Sequence, residues 1–453
     1  MHSQSTEQRY ITRFPKSRAL HEKARALFPR GCTHDARYIL PFPIYITHAR
    51  GSHKWDVDSN EYIDYYGGHG GLVLGHAHQS VVQAVNEQID KGTQYGAESY
   101  LAPEWAELIK SYFPSADLVE FTNSGTEANM MAIRLARAFT GRSKVVKFRG
   151  HFHGGFDEAM VGMSKPWDVP CSTGLFPEAT DCTIALPINN EEALENALSK
   201  RHVAIVMIEA LGDHSGVTGI APSFYQTLRD LTKKYGTLLL FDEVVVGLRF
   251  PLGGAQGAKG IIPDLTALGK AVNGMIPGAG CIVGHADVMN MLQFKDDDWN
   301  RYKRVPHSGT FNANPLCAAA GIATFKILAT GEPQRKANEA ASRLRQGMQQ
   351  SIDRQGITGC AYGDISIWHL YFGGCEMQGS CERVICLNED KVRSASIGKA
   401  LSLNLALSGI GVPGRGVDGF VSAVHTIEDI DKTIAAFDTS LSTMISEGVL
   451  QRG

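Results

Sequence analysis

Three polar clusters stand where apolar strands run out, and their residue types suit one kind of chemistry. Lys270 follows the run Leu265 to Gly269 and precedes a glycine-rich stretch, residues 274–280. Its amine can therefore lie in a dry cleft, where a lowered pKa makes a lysine attack aldehydes readily. Asp242 closes the run Leu238-Leu239-Leu240-Phe241. A carboxylate on so apolar a strand is costly to bury unless a cation meets it, and a protonated pyridine nitrogen is such a cation. The third cluster, Asn123-Ser124-Gly125-Thr126-Glu127-Ala128-Asn129, follows a strand and opens a helix. Its hydroxyls, unpaired N–H groups and positive dipole end offer an anion such as phosphate a cradle.

Each cluster has a plainer reading. Ser124 or Thr126 can be a simple N-cap with Glu127 in the first turn, Asp242 a helix cap or a partner for Arg249, and Lys270 a surface lysine. Taken together, the order strand and cradle, strand and acid, strand and lysine favours the chemical reading. An anion, a ring nitrogen and an aldehyde are the groups of pyridoxal 5'-phosphate. A nicotinamide cofactor would need GxGxxG directly after an early strand, and the glycine-rich runs near Gly67 and Gly274 lack that context.

Such residues need a covered sheet to hold them. Continuous apolar runs at residues 118–122, 145–148, 204–209, 237–241, 265–268 and 281–283 predict strands buried on both faces. Helical patterns over 127–139, 191–199 and 223–235 alternate with them, so the expected fold class is α/β: a mostly parallel central sheet with helices on both faces. In such a sheet ligands bind beyond the carboxyl ends of the strands, where the unusual residues lie. A smaller α+β C-terminal domain is expected after helices at 315–328 and 334–354. Before the sheet come a helix at 17–27, an irregular arm at 29–43 and strands at 44–47, 52–56 and 61–66. These lead into Gly67-Gly68-His69-Gly70-Gly71, where the glycines imply close approach or special dihedral angles. The expected division is 1–75 as arm and small-domain segment, 76–325 as the large cofactor-binding domain, and 326–453 as the C-terminal small domain.

Composition narrows the partners. The chain has 453 residues, 43% hydrophobic and 20% charged, with a net charge of −3, which gives no electrostatic case for nucleic acid or an anionic membrane. Nine cysteines, an odd number without a regular framework, read as reduced thiols. Cys375, Cys381 and Cys386, with His369 nearby, do not match the spacing of paired zinc ligands, so no metal is expected. The polar N-terminus and the absence of any run of eighteen apolar residues point to a soluble, cytoplasmic protein with small-molecule substrates.

The motifs NSGTEAN from Asn123, HFHGG from His151, FDEVVVGLR from Phe241, LGK ending at Lys270 and HSGTFNANP from His307 resemble those of the class III, fold type I, pyridoxal-phosphate aminotransferases. The branch is the one similar to glutamate-1-semialdehyde aminomutase, and the resemblance runs from about Leu27 to His425. It implies that Lys270 forms the Schiff base, that Asp242 partners the ring nitrogen, and that Ser124, Gly125 and Thr126 belong to the phosphate cradle. Val244 packs on one ring face and Phe152 on the other, where the family usually has a tyrosine. Thr310 matches a threonine that reaches the phosphate of a neighbouring subunit, which implies a homodimer with shared sites. His214 falls where a side chain can hydrogen-bond the ring's phenolic oxygen. A histidine beside the stacking aromatic is typical of the family, so His151 and His153 need no metal. At Glu209 the family has Glu-Pro, and Ala210 replaces the proline.

The substrate's carboxylate calls for a guanidinium. The resemblance offers Arg37, aligned with the aminomutase branch's carboxylate-binding arginine, and Arg415, similar to one in β-phenylalanine and D-phenylglycine aminotransferases. Each is alternatively a structural ion pair. His69 stands where the aminomutase has a tryptophan and Val417 where it has a glutamate. The expectation is therefore a transaminase acting on an amino acid, of the D-, β- or aryl-substituted kind, with a 2-oxo acid. The alternatives are a glutamate-1-semialdehyde-type 2,1-aminomutase and, from another class, a non-catalytic cofactor-binding regulatory protein.

Overall fold

The computed structural model describes residues 4–212, 219–374 and 394–453, so His214 and the cysteine cluster at 375, 381 and 386 lie outside the described residues. The chain divides into two compact units. One joins Met1–His78 to the chain from Glu332 onward, and the other is Gln79–Gly331.

The first unit begins with helices Thr6–Arg13 and Pro15–Arg25, not the single helix read at 17–27. The first was missed because it is polar and buries only Thr6 and Tyr10, while Pro15, whose fixed φ suits a first turn, starts the second early. Strands β1 (Ile46–Arg50), β2 (His53–Asp56) and β3 (Glu61–Asp64) follow as antiparallel neighbours. β1 lies two residues beyond its expected start. It is an edge strand with a mostly exposed face, so no apolar alternation marks its ends.

The second unit holds β4 (Leu118–Thr122), β5 (Lys144–Phe148), β6 (Thr183–Leu186), β7 (Val203–Glu209), β8 (Leu238–Asp242), β9 (Leu265–Gly269) and β10 (Gly280–Gly284). They make one sheet in the order β4-β10-β9-β8-β7-β5-β6. Only β10 runs against its neighbours, so the sheet is mostly parallel. Every residue of β7, β8, β9 and β10 is buried, which is why these stretches read as unbroken apolar runs. β6 escaped the sequence reading because, as an edge strand, it is only half-buried along its length. The helix Gly125–Thr140 is capped by Ser124 and stops at Gly141, which adopts φ 68°. Pro222 and Pro315 open helices Pro222–Tyr235 and Pro315–Leu328.

The remainder of the first unit adds β11 (Gly359–Tyr362), β12 (Ile367–Phe372), β13 (Ile410–Gly411) and β14 (Asp418–Phe420). β13 extends the N-terminal sheet alongside β3, and β11-β12-β14 form a second sheet. Helices Glu332–Arg354 and Ile427–Ser446 pack over a core that includes Trp368, Leu344 and Phe437. This unit therefore draws one sheet from both ends of the sequence.

Candidate active site

The carboxyl ends of β8 and β9 and the start of the helix Gly125–Thr140 open on one cavity of about 370 Å³ within the second unit. Ser124, Gly125, Thr126, Phe152, Asp242, Val244 and Lys270 all line it. Residues as far apart in sequence as Ser124 and Lys270 thus meet because a parallel sheet puts its strand ends on one edge.

Asp242 is 7% exposed. Its Oδ2 accepts from Asn129 Nδ2 at 2.7 Å and lies 2.9 Å from His153 Nδ1, and its Oδ1 accepts from the Val244 N–H at 3.1 Å. Arg249 is not among its partners in the described residues, so the plainer ion-pair reading does not hold. An acceptor-only carboxylate requires His153 to donate through Nδ1. Three donors thus orient the acid at the cavity, an arrangement that suits a cationic ligand group.

Lys270 begins a 3-10 turn, Lys270–Asn273, in the left-handed region at φ 47°. That conformation is unusual for a side-chain-bearing residue and turns the lysine off the strand direction at the cavity wall. Gly269 before it leaves little room for a side chain: a Cβ would stand 3.1 Å from Val244 Cγ1 and 3.2 Å from the Gly125 nitrogen.

The cradle is tight as well. A Cβ on Gly125 would stand 2.5 Å from Val244 Cγ2, and one on Gly154 2.7 Å from Thr126 Oγ1. Ser124 does act as the N-cap, accepting from the Glu127 N–H at 3.2 Å, yet it also lines the cavity, so both readings of that serine hold. The amides of Gly125 and Thr126 find no acceptor among the described residues. Unpaired helix-terminal donors beside hydroxyls suit a phosphate.

Phe152 is 38% exposed, and its N–H donates to Glu209 Oε1 at 2.5 Å. The backbone N–H of Glu209 in turn donates to His151 Nδ1 at 3.1 Å. His151 and His153 face different partners, and no group of three or more metal-ligating side chains occurs among the described residues. Asn129 was not singled out from the sequence. The available signal was its place one helical turn after Gly125, which puts both on one face.

The other expected site residues are each described within their own unit. Thr310 is exposed and outside the cavity lining, with its carbonyl accepting from the Gln94 side chain. Arg37 and His69 line a cavity of about 480 Å³ within the first unit. Arg37 donates to Thr33 Oγ1 at 2.8 Å and has no ion-pair partner among the described residues. Arg415 is ion-paired with Asp418 at 3.0 Å.

The family model for class-III aminotransferases matches residues 35–359. The chain belongs to that family. Class-III aminotransferases take pyridoxal 5'-phosphate, and the donors at Gly125 and Thr126, the buried carboxylate of Asp242 and the amine of Lys270 fit that group. This aminotransferase is 35% identical to a glutamate-1-semialdehyde 2,1-aminomutase of Caldivirga maquilingensis, over 92% of the chain and 96% of the relative. Among solved structures it resembles an omega-transaminase from Sphaerobacter thermophilus, with 31% identity, a TM-score of 0.86, and 96% and 99% of the two chains covered. A β-phenylalanine aminotransferase from Variovorax paradoxus is 30% identical with the same TM-score, and 99% and 98% of the chains are covered.

Proposed function

We propose that this aminotransferase moves an amino group between an amino acid, of the D-, β- or aryl-bearing kind, and a 2-oxo acid, with Lys270 as the covalent anchor. The observation that carries the proposal is the convergence of Lys270, Asp242 and the Gly125–Thr126 amides on one cavity. When bound, the cofactor supplies an electron-poor ring that takes up the electron pair of the substrate carbon. Lys270 Nζ would anchor it and would carry the proton to and from the substrate carbon. Asp242 would face the ring nitrogen and keep it protonated, with Asn129 and His153 holding Asp242 in aim. Phe152 and Val244 would hold the ring between them, Ser124, Gly125 and Thr126 would hold the phosphate, and Arg37 or Arg415 would orient the substrate's carboxylate. Thr310, exposed here, reaches the phosphate of a second copy, so the active form is a homodimer; light scattering should give twice the 49.2 kDa chain mass. A cytoplasmic location belongs to the same proposal, and cell fractionation tests it.

Borohydride reduction of the holoenzyme, followed by peptide mapping, tests the anchor. Label on Lys270, and its loss together with turnover in Lys270→Ala, is the expected result. Wild-type turnover by Lys270→Ala would sink the proposal.

The aminomutase relatives favour a second reading, an intramolecular 2,1-amino shift. Turnover of an aminoaldehyde substrate with no 2-oxo acid present distinguishes the two.

A further inference from the structure

The backbone that follows Lys270 is strained. Lys270 and Met275 carry side chains in the left-handed region, at φ 47° and 69°, and Gly274 and Gly278 share that region at 64° and 93°. Side-chain-bearing residues stay there only where their surroundings over-determine the backbone. Asn273, Met275, Ile276, Pro277 and Gly278 line the same cavity as Lys270, so whatever holds this loop also shapes the cavity wall.

One face of the helix Pro315–Leu328 does the holding. Cys317, Gly321 and Thr324 are spaced by four and three residues, which puts them on one side of it. Cys317 Sγ accepts from Asn273 Nδ2 at 3.2 Å and lies 3.3 Å from the Pro277 carbonyl oxygen and 3.4 Å from that of Gly278. Gly321 makes room for Trp105: a Cβ there would meet Trp105 Nε1, which donates to the Val272 carbonyl at 3.2 Å. Thr324 closes on Gly274, where a Cβ would stand 2.6 Å from Thr324 Oγ1.

Cys317 is 1% exposed, and the side chain of Asn314 caps the helix by accepting from the Cys317 N–H at 3.0 Å. Burial raises the pKa of the thiol, so it keeps the proton that the two carbonyls can accept. The thiol thus accepts from the residue that ends the 3-10 turn begun by Lys270 and donates to the loop beyond it. Cys317 is not among the residues that line the cavity, so it acts on the site through the backbone. Cys281, on β10 of the same unit, is wholly buried too, yet its thiol has no hydrogen-bond partner among the described residues.

We infer that Cys317 is a positioning residue for Lys270, its thiol tying the end of the lysine's turn to the cavity wall at Pro277 and Gly278. This deepens the proposed function and rests on it for Lys270 as the covalent anchor.

The test compares Cys317→Ala, Cys317→Ser, Asn273→Ala and Cys281→Ala with the parent. The readouts are melting temperature, Kd of the resolved protein for pyridoxal 5'-phosphate by equilibrium dialysis, kcat and KM for one amino donor, and borohydride labelling of Lys270. Cys317→Ala and Cys281→Ala each delete one buried thiol and should lower the melting temperature similarly. Only Cys317→Ala should raise Kd by at least about tenfold and lower kcat by about tenfold, with KM moved less than about threefold, because a misaimed amine slows proton transfer more than it weakens substrate binding. Cys317→Ser keeps a donor and an acceptor and should return Kd and kcat to within about threefold of the parent's. Asn273→Ala breaks the contact from the loop side and should do at least the same harm, which tests the latch even where Cys317→Ala does not fold. Cofactor affinity and kcat alike in Cys317→Ala and Cys281→Ala, or no recovery in Cys317→Ser, overturn the inference, while label on Lys270 leaves the transaminase reading standing. Label on another lysine of the parent overturns that reading and the inference with it.

Discussion

His153 Nδ1 stands 2.9 Å from Asp242 Oδ2 in a pair almost closed to water, with the two residues 2% and 7% exposed. Three donors fix the orientation of this acid, so that it can face a cofactor nitrogen. Asp242→Asn keeps the shape and removes the charge. We expect kcat to fall by about 10²–10³, in line with the loss of one fixed electrostatic contact in a dry site. Borohydride trapping at Lys270 should survive, since the anchor is untouched. A kcat within threefold of the parent's would show that the acid does not govern the ring.

Glu243, next in sequence to Asp242, faces the other way and is wholly buried. Burial raises its pKa from 4.5 to about 7, against the pull of the Ala255 and Gln256 donors and helped by the charge of Asp242. A raised folded-state pKa means stability that is present below about pH 4.5 and is lost as pH rises to about 7, by roughly 3 kcal/mol at most. Glu243→Gln resembles the protonated form, so its stability relative to the parent should rise across that window. Parallel denaturant-melt curves for the two proteins from pH 4.5 to 7 would refute the assignment.

Lys147, 1% exposed on β5, donates to the Ala159 carbonyl at 2.6 Å and has no carboxylate within ion-pair distance among the described residues. Burial lowers its pKa from 10.5 to about 8. The sign is opposite to that of Glu243: stability present above pH 10.5 is lost as pH falls through about 8. Lys147→Met, of similar length and uncharged, should flatten that slope, and thermal melts at pH 8 and 10 compare the two directly.

Gly154 adopts φ 123°, and a Cβ there would stand 2.7 Å from Thr126 Oγ1. Gly154→Ala should therefore both strain the backbone and push Thr126 from the cradle. We expect a stability loss of about 1–3 kcal/mol and at least about a tenfold weaker hold on pyridoxal 5'-phosphate, read by resolving and reconstituting the cofactor. Alanine at Gly141, where a Cβ meets nothing within 4 Å, serves as a control for left-handed strain without the clash.

The helix cap at Ser124, the buried strands β7 to β10 and the three chemical clusters were all legible in the sequence. Their signals are local: caps, unbroken apolar runs, and polar residues at strand ends. Elements that bury little, such as the helix Thr6–Arg13 and the edge strand β6, were not, because periodicity reports burial and they have little to report. Tertiary structure alone decided which side chains meet. Asn129 and His153 come to Asp242 from 113 and 89 residues away. Asp64, itself bonded to His76, holds the entry to a turn whose glycines the sequence displayed but whose left-handed His69 it did not. Residue types name the chemistry that is available, whereas the distances that make it act belong to packing between segments with no local signal linking them.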